Sequence, residues 1–239
     1  MIAVFTVGMI SSCGDDTGDL EMNIKLQYDG EPMVMLQNYT YPSGETFYIT
    51  KVSMYMSDIA VGEQPLSDVE FVNLANSHTD AATAAEGFSM TFSDIPAGDY
   101  ANFSFGLGVN AANNAKTPGD FTSDNPLSNA GEYWPGWESF VFYKIEGQLD
   151  TDGDGNPDQG MSLHMGGDEV YTILTADKPL SIDGSEDPTI DLTINMNKVF
   201  ENDGVIYDIV ANPGLHSKAN HLPQMQTLVS NTAAAISVR

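Results

Sequence analysis

Four histidines, two tryptophans and one cysteine are the scarce side chains that could do chemistry in this chain: His78, His164, His216, His221, Trp134, Trp137 and Cys13. Imidazole ligates metals and carries protons near neutral pH, and imidazole sites favour copper among the divalent first-row metals. A histidine on a strand face is nevertheless more often a hydrogen-bonded structural residue than a ligand, so residue chemistry alone does not choose among the four. Met165, beside His164, offers a soft thioether. The tryptophans read either as core or rim aromatics or as a stacking platform. A lone Cys excludes a disulfide framework and a thiolate metal cluster.

A second chemistry lies in Asp150-Thr-Asp152-Gly-Asp154-Gly155-Asn156-Pro-Asp158. Carboxylates at alternate positions can wrap one hard cation, Gly155 permits the sharp turn, and Asn156 offers its carbonyl. The pattern is the first part of a calcium loop, with ligands expected from Asp150, Asp152, Asp154, Asn156 and Asp158. Met161 stands where a bidentate Glu would close such a loop. A structural calcium site of weak affinity is expected, closing a hairpin between strands at 140–146 and 161–165. Hydrolase signatures are absent: there is no GxSxG elbow and no HExxH. The expectation is a protein that is not an enzyme.

These residues need a frame, and the frame reads as β. Leu20 to Tyr28 alternates apolar and polar residues with period two, as do 46–56 and 189–196. Further strands are expected at 89–95, 100–109, 140–146, 161–165 and 170–174, separated by Gly, Pro, Asn and Asp turns. Helical candidates are confined to 198–201 and about 222–235. The predicted fold is all-β: one antiparallel β-sandwich domain over 20–239, with long loops and at most short helices.

Residues 1–10 are uncharged and too few to span a bilayer. Ile10-Ser11-Ser12-Cys13 resembles a bacterial lipobox, so 1–13 is expected to be a lipoprotein signal segment, with Cys13 lipidated and 14–19 an acidic tether. The formal charge of −26, from 34 acidic and 8 basic side chains, opposes phosphate backbones and anionic headgroups. No nucleic-acid partner is expected, and membrane contact only through the anchor.

Several segments in order carry a family resemblance. They are Thr46-Phe-Tyr-Ile-Thr-Lys51-Val-Ser-Met-Tyr-Met-Ser-Asp-Ile59, Gly98-Asp-Tyr100, Phe105-Gly-Leu-Gly-Val109-Asn110, Trp134-Pro-Gly-Trp137, Phe142-Tyr-Lys144-Ile-Glu146-Gly147, Leu163-His164-Met-Gly166-Gly167 and Leu215-His216-Ser217. Together they resemble the MbnP-like family of methanobactin-associated copper-binding proteins, found as lipoproteins in Bacteroidota. The family's W-x-W is W-P-G-W here. The resemblance implies a copper site with His164 and His216 as ligands. It also implies that Trp134 or Trp137 is oxidised to kynurenine by a di-haem, peroxidase-like partner, and that copper acquisition involves a TonB-dependent transporter. The expected setting is the bacterial cell envelope, outer-membrane anchored, periplasmic or surface-exposed, with the protein monomeric. The alternative function is a calcium-stabilised surface adhesion or glycan-binding module presenting both indoles.

Overall fold

The computed structural model describes residues 17–184 and 186–239. Cys13, with the rest of the signal segment and Asp15 and Asp16, lies outside the described residues. The first strand, Thr17–Tyr28, starts inside the segment read as a tether. It buries Leu20, Met22, Ile24, Leu26 and Tyr28, every second residue, which is the pattern a strand shows when one face meets a core.

Two main sheets form. The smaller has Thr17–Tyr28 at its centre, flanked by Thr189–Asn195 and Phe88–Pro96, with Ile236–Val238 outside Thr189–Asn195. The larger runs Thr172–Ala176, Phe103–Leu107, Thr46–Val61, Ser139–Leu149, Gln159–Gly166 and Gly214–Leu215. Gln64–Asn73 also pairs with Thr46–Val61, and Tyr133–Trp134 with Ser139–Leu149. Between the sheets lies one core that includes Phe47, Phe105, Phe142, Leu163, Leu192 and Phe200. The fold is thus all-β and sandwich-like.

Two expectations need correction. The sandwich is not purely antiparallel: Thr17–Tyr28 pairs with Thr189–Asn195 in parallel, and Gln159–Gly166 pairs with Gly214–Leu215 in parallel. Each of these partners returns after a long crossover, which parallel pairing requires. The helices are also not all short. Lys218–Ala235 is 18 residues long and buries Met225, Leu228, Val229 and Thr232, a stripe at helical spacing. It packs on Gln159–Gly166 and on the short helix Met196–Phe200. Among the described residues, no helix is long and apolar enough to cross a membrane.

Gly147 shows how tightly the larger sheet is built. A Cβ there would sit 2.0 Å from the Tyr48 carbonyl oxygen of the next strand, beside a register shift between Glu146 and Gly147. No side-chain rotation relieves a clash with backbone. Gly147→Ala is expected to cost about 1–3 kcal/mol, read as a lower urea midpoint at unchanged slope. An unchanged midpoint would show that the sheet yields there.

Candidate metal centre

Register alone brings the polar residues of three strands onto one face. Lys144 lies opposite His164, and Glu146 opposite Ser162. Ser162 in turn pairs with Gly214, two residues before His216. Side chains two apart on a strand share a face, so Lys144 and Glu146, then Ser162 and His164, then His216 form a polar strip. Met165 points the other way and is fully buried in the apolar core. It is therefore separated from the imidazoles, and the thioether suggested by sequence adjacency is not at hand.

His164 is 8% exposed. Its Nε2 lies 2.7 Å from a Glu146 carboxylate oxygen. The hydrogen bond from His164 is the main influence holding the Glu146 carboxyl below the ordinary range, and the charges of His164, Lys51 and Lys144 add to it. An ionised carboxylate only accepts, so Nε2 carries the proton and donates. In the neutral ring Nδ1 then keeps its lone pair, and among the described residues this buried atom has no hydrogen-bond partner. A carboxylate fixing the far nitrogen of an imidazole is the usual support of a histidine metal ligand.

His216 is more open. Its Nε2 lies 3.1 Å from the Ser162 hydroxyl. The two imidazole centroids are 5.2 Å apart at 81°. Two imidazoles sharing one ion at ordinary metal–nitrogen lengths of about 2 Å leave centroids about 5–6 Å apart, and the separation of this pair lies in that range. Gly214 keeps the space beside His216 open, because a Cβ there would lie 3.2 Å from its Nδ1. Desolvation first, then the neighbouring His164 and His221, hold the His216 imidazole below its ordinary pKa, against an opposing pull from Glu146.

The tryptophans stand over this pair. In Trp134-Pro135-Gly136-Trp137 the Trp137 N–H donates to the Trp134 carbonyl at 3.0 Å, a tight turn with Pro and Gly at its centre. The turn folds Trp137 back onto Trp134, with centroids 5.1 Å apart and planes 20° apart. Trp134 also stacks on His216 at 5.8 Å and meets His164 edge-on at 6.1 Å. The Trp137 indole N–H donates to the His216 carbonyl at 3.3 Å.

The structure thus gathers His164, His216, Trp134 and Trp137. Sequence reasoning did not single out Glu146 or Ser162, although both lie on the same strand face as a candidate or its neighbour. It also set His221 aside. His221, on the C-terminal helix, is close enough for its charge to act on His216, and its buried Nδ1 has no hydrogen-bond partner among the described residues. His78 is different: its Nε2 accepts from Leu26 N–H at 3.0 Å, and its Nδ1 lies 3.1 Å from the Leu74 carbonyl. Both nitrogens are committed to the backbone.

The acidic loop 150–158 joins Ser139–Leu149 to Gln159–Gly166. Carboxylate oxygens of Asp150, Asp152 and Asp154 lie within 4.8 Å of one another, while Asp158 stands outside that group. Desolvation works against the Asp150 charge, but N–H bonds from Gly155 and Gly153 outweigh it and hold the carboxyl below its ordinary range. Gly153 and Gly155 take φ of +78° and +86°, which glycine adopts without strain. Glu45 lines the same recess.

The family model for MbnP matches residues 17–217. The chain belongs to the MbnP family. The matched span contains both tryptophans, His164 and His216, and ends before His221. No curated protein matches the sequence. Among solved structures, MbnP from Methylosinus trichosporium matches with a TM-score of 0.50 at 13% identity, covering 77% of this chain and 78% of that one. At that identity the likeness speaks for the MbnP fold.

The His216 titration tests the pairing of the imidazoles. Followed by imidazole NMR signals, its midpoint is expected below the ordinary 6.5 and should rise in His164→Ala, which removes a repelling neighbour. Because the folded state disfavours this proton, the linked stability falls as pH drops through the ordinary value toward the lowered one. A midpoint indifferent to His164→Ala would mean that the two rings do not interact.

Proposed function

We propose that this MbnP-family chain is a non-catalytic copper-binding lipoprotein of the bacterial cell envelope. One observation carries the reading: two imidazoles 5.2 Å apart, one with a buried and uncommitted nitrogen, packed against a tryptophan. His164 through Nδ1 and His216 would hold the metal, and Glu146 would orient His164. Bound copper would supply a redox-active centre with high affinity for imidazole. The chain's own Glu146 holds the His164 ring through Nε2.

Trp134 is the proposed site of oxidation to kynurenine, because it meets both imidazoles whereas Trp137 reaches the pair through Trp134 and a backbone carbonyl. The oxidant is assigned to a di-haem, peroxidase-like partner, and delivery to a TonB-dependent transporter. Anchoring through Cys13 would place the monomeric protein on the outer membrane. A glycan platform needs two free, coplanar indole faces. Here the indoles face each other, which favours the metal reading.

Wild-type protein is expected to bind copper at one equivalent, measured by competition with a chromophoric chelator. His164→Ala and His216→Ala should each abolish that site, and Glu146→Gln should weaken it about 10–100-fold. Protein from its native envelope should show, by intact mass and peptide mapping, an oxygen-rich product at Trp134. Stoichiometric copper at unchanged affinity in His164→Ala would defeat the assignment.

We also propose that Asp150, Asp152 and Asp154 take calcium, with Asn156 and Asp158 completing the loop and Glu45 available across the recess. Calcium at about 100 times its dissociation constant would stabilise the fold by about 2.7 kcal/mol. The thermal midpoint should rise with calcium and fall back with chelator, and Asp152→Asn should remove the response. A midpoint indifferent to calcium would leave an ordinary acidic turn.

A further inference from the structure

The chain has seven lysines and one arginine, Arg239, against 34 acidic residues. Two of those lysines converge on one buried carboxylate. Lys144 Nζ lies 2.5 Å from Glu132, with both side chains under a tenth exposed. Lys51 Nζ lies 3.2 Å from the other oxygen of Glu132, with a quarter of its side chain exposed. Lys144 also donates to the Gly131 carbonyl at 3.3 Å.

The placement of this cluster is informative. Lys51 and Lys144 rise from adjacent strands of the larger sheet, where Lys51 pairs with Glu146 and Ser53 with Lys144. Lys144 sits directly opposite His164. Glu132 ends the short turn Ala130–Glu132, immediately before Tyr133–Trp134. Among the described residues, the ladder of that two-residue strand is limited to Ser139 and Phe140. The tryptophan segment meets the sheet through two ladder pairs, the packing of Tyr133 on Phe140 and of Trp137 on the core, the contacts of Trp134 with the two imidazoles and the indole bond of Trp137 to His216; the contacts of Glu132 and Gly131 with the lysines are its charged attachment.

Burying three charges is a poor source of net stability, because desolvation offsets much of their attraction. Such a cluster is better at fixing one arrangement among several. The same lysines also face Glu146, whose carboxylate holds His164. The tryptophan turn and the ligand imidazole are thus tied to one pair of cations.

We propose that Lys51, Glu132 and Lys144 form a positioning clasp that sets Trp134 over the imidazole pair. None of the three is a ligand. The clasp holds the indole stacked on His216 and edge-on to His164, beside the place where a metal shared by the two imidazoles would sit. That consequence rests on the copper reading; the positioning itself does not.

The test uses metal-free, full-chain protein first. Nuclear Overhauser contacts between the Trp134 indole and the His164 and His216 imidazoles report the placement, and the circular dichroism of the stacked indole pair reports it independently. In Glu132→Gln both signals are expected to be lost while the amide resonances of the two sheets stay in place. Copper affinity should then fall about tenfold, within the range for residues that support ligands. A merely stabilising role would lower the melting temperature and leave the indole–imidazole contacts intact. Should Glu132→Gln fail to fold, Lys51→Met, altering the most exposed member, carries the same readouts. Retention of the Trp134 contacts in the folded variant overturns the clasp. Wild-type protein that binds no copper would overturn the copper reading and leave the metal-free result standing.

Discussion

The pairing of Ser139–Leu149 with Gln159–Gly166 is the constraint on which the rest of the candidate centre depends. It places Lys144 opposite His164 and Glu146 opposite Ser162. A slip of one residue would turn every one of these side chains to the other face. Lys144 and His164 would then enter the apolar core, and Tyr143, Ile145 and Met165 would leave it. The core is thus what enforces the polar strip. Burial of Tyr143, Ile145, Leu163 and Met165 fixes the register, and the register delivers a carboxylate to His164 at 2.7 Å.

Charge does different work in different places. Most of the 34 carboxylates outnumber any available cation and face solvent, where they set net charge and little else. A few near the candidate sites are held by specific donors. Glu146 takes the imidazole N–H of His164, Glu132 takes two lysines, and Asp150 takes two glycine N–H groups. In an acidic protein the placement of lysines is the scarcer signal. Two of seven meet a single buried carboxylate beside the tryptophan turn, whereas Lys25 meets Asp191 in a half-exposed pair.

Much of the frame was legible because local patterns report local structure. Alternation found the strands around 20–28, 46–56 and 189–196, and the Asp-Gly spacing found the loop that closes one hairpin. Gln64–Asn73 was missed because Pro65, Ser67, Asp68 and Glu70 break the apolar run of a strand that leaves much of itself half-exposed. The helix Lys218–Ala235 was caught late, since its first turn is polar and it contains Pro223. Parallel pairing joins residues about 170 positions apart, and no local pattern encodes that. For the same reason the order of motifs could suggest His164 with His216, but not Glu132 with Lys51 and Lys144. Glu146 stood inside a recognised motif, yet its role became readable only once its hydrogen bond to His164 was known.

The contrast between His78 and His164 shows what decides whether an imidazole can serve as a ligand here. Both are buried, at 0% and 8% exposure, and composition cannot separate them. His78 gives each nitrogen to the backbone, one accepting from Leu26 and one facing the Leu74 carbonyl, so a metal would have to break a buried hydrogen bond to reach it. His164 gives one nitrogen to a carboxylate and leaves the other buried with no partner among the described residues. A buried polar atom without a partner costs about 1–3 kcal/mol, and a fold keeps such a cost where something else offsets it. At His78 nothing is left to offset. At His164 the ring with the unpartnered nitrogen lies beside His216 and Trp134, and on the proposed reading a cation held there would take up that nitrogen.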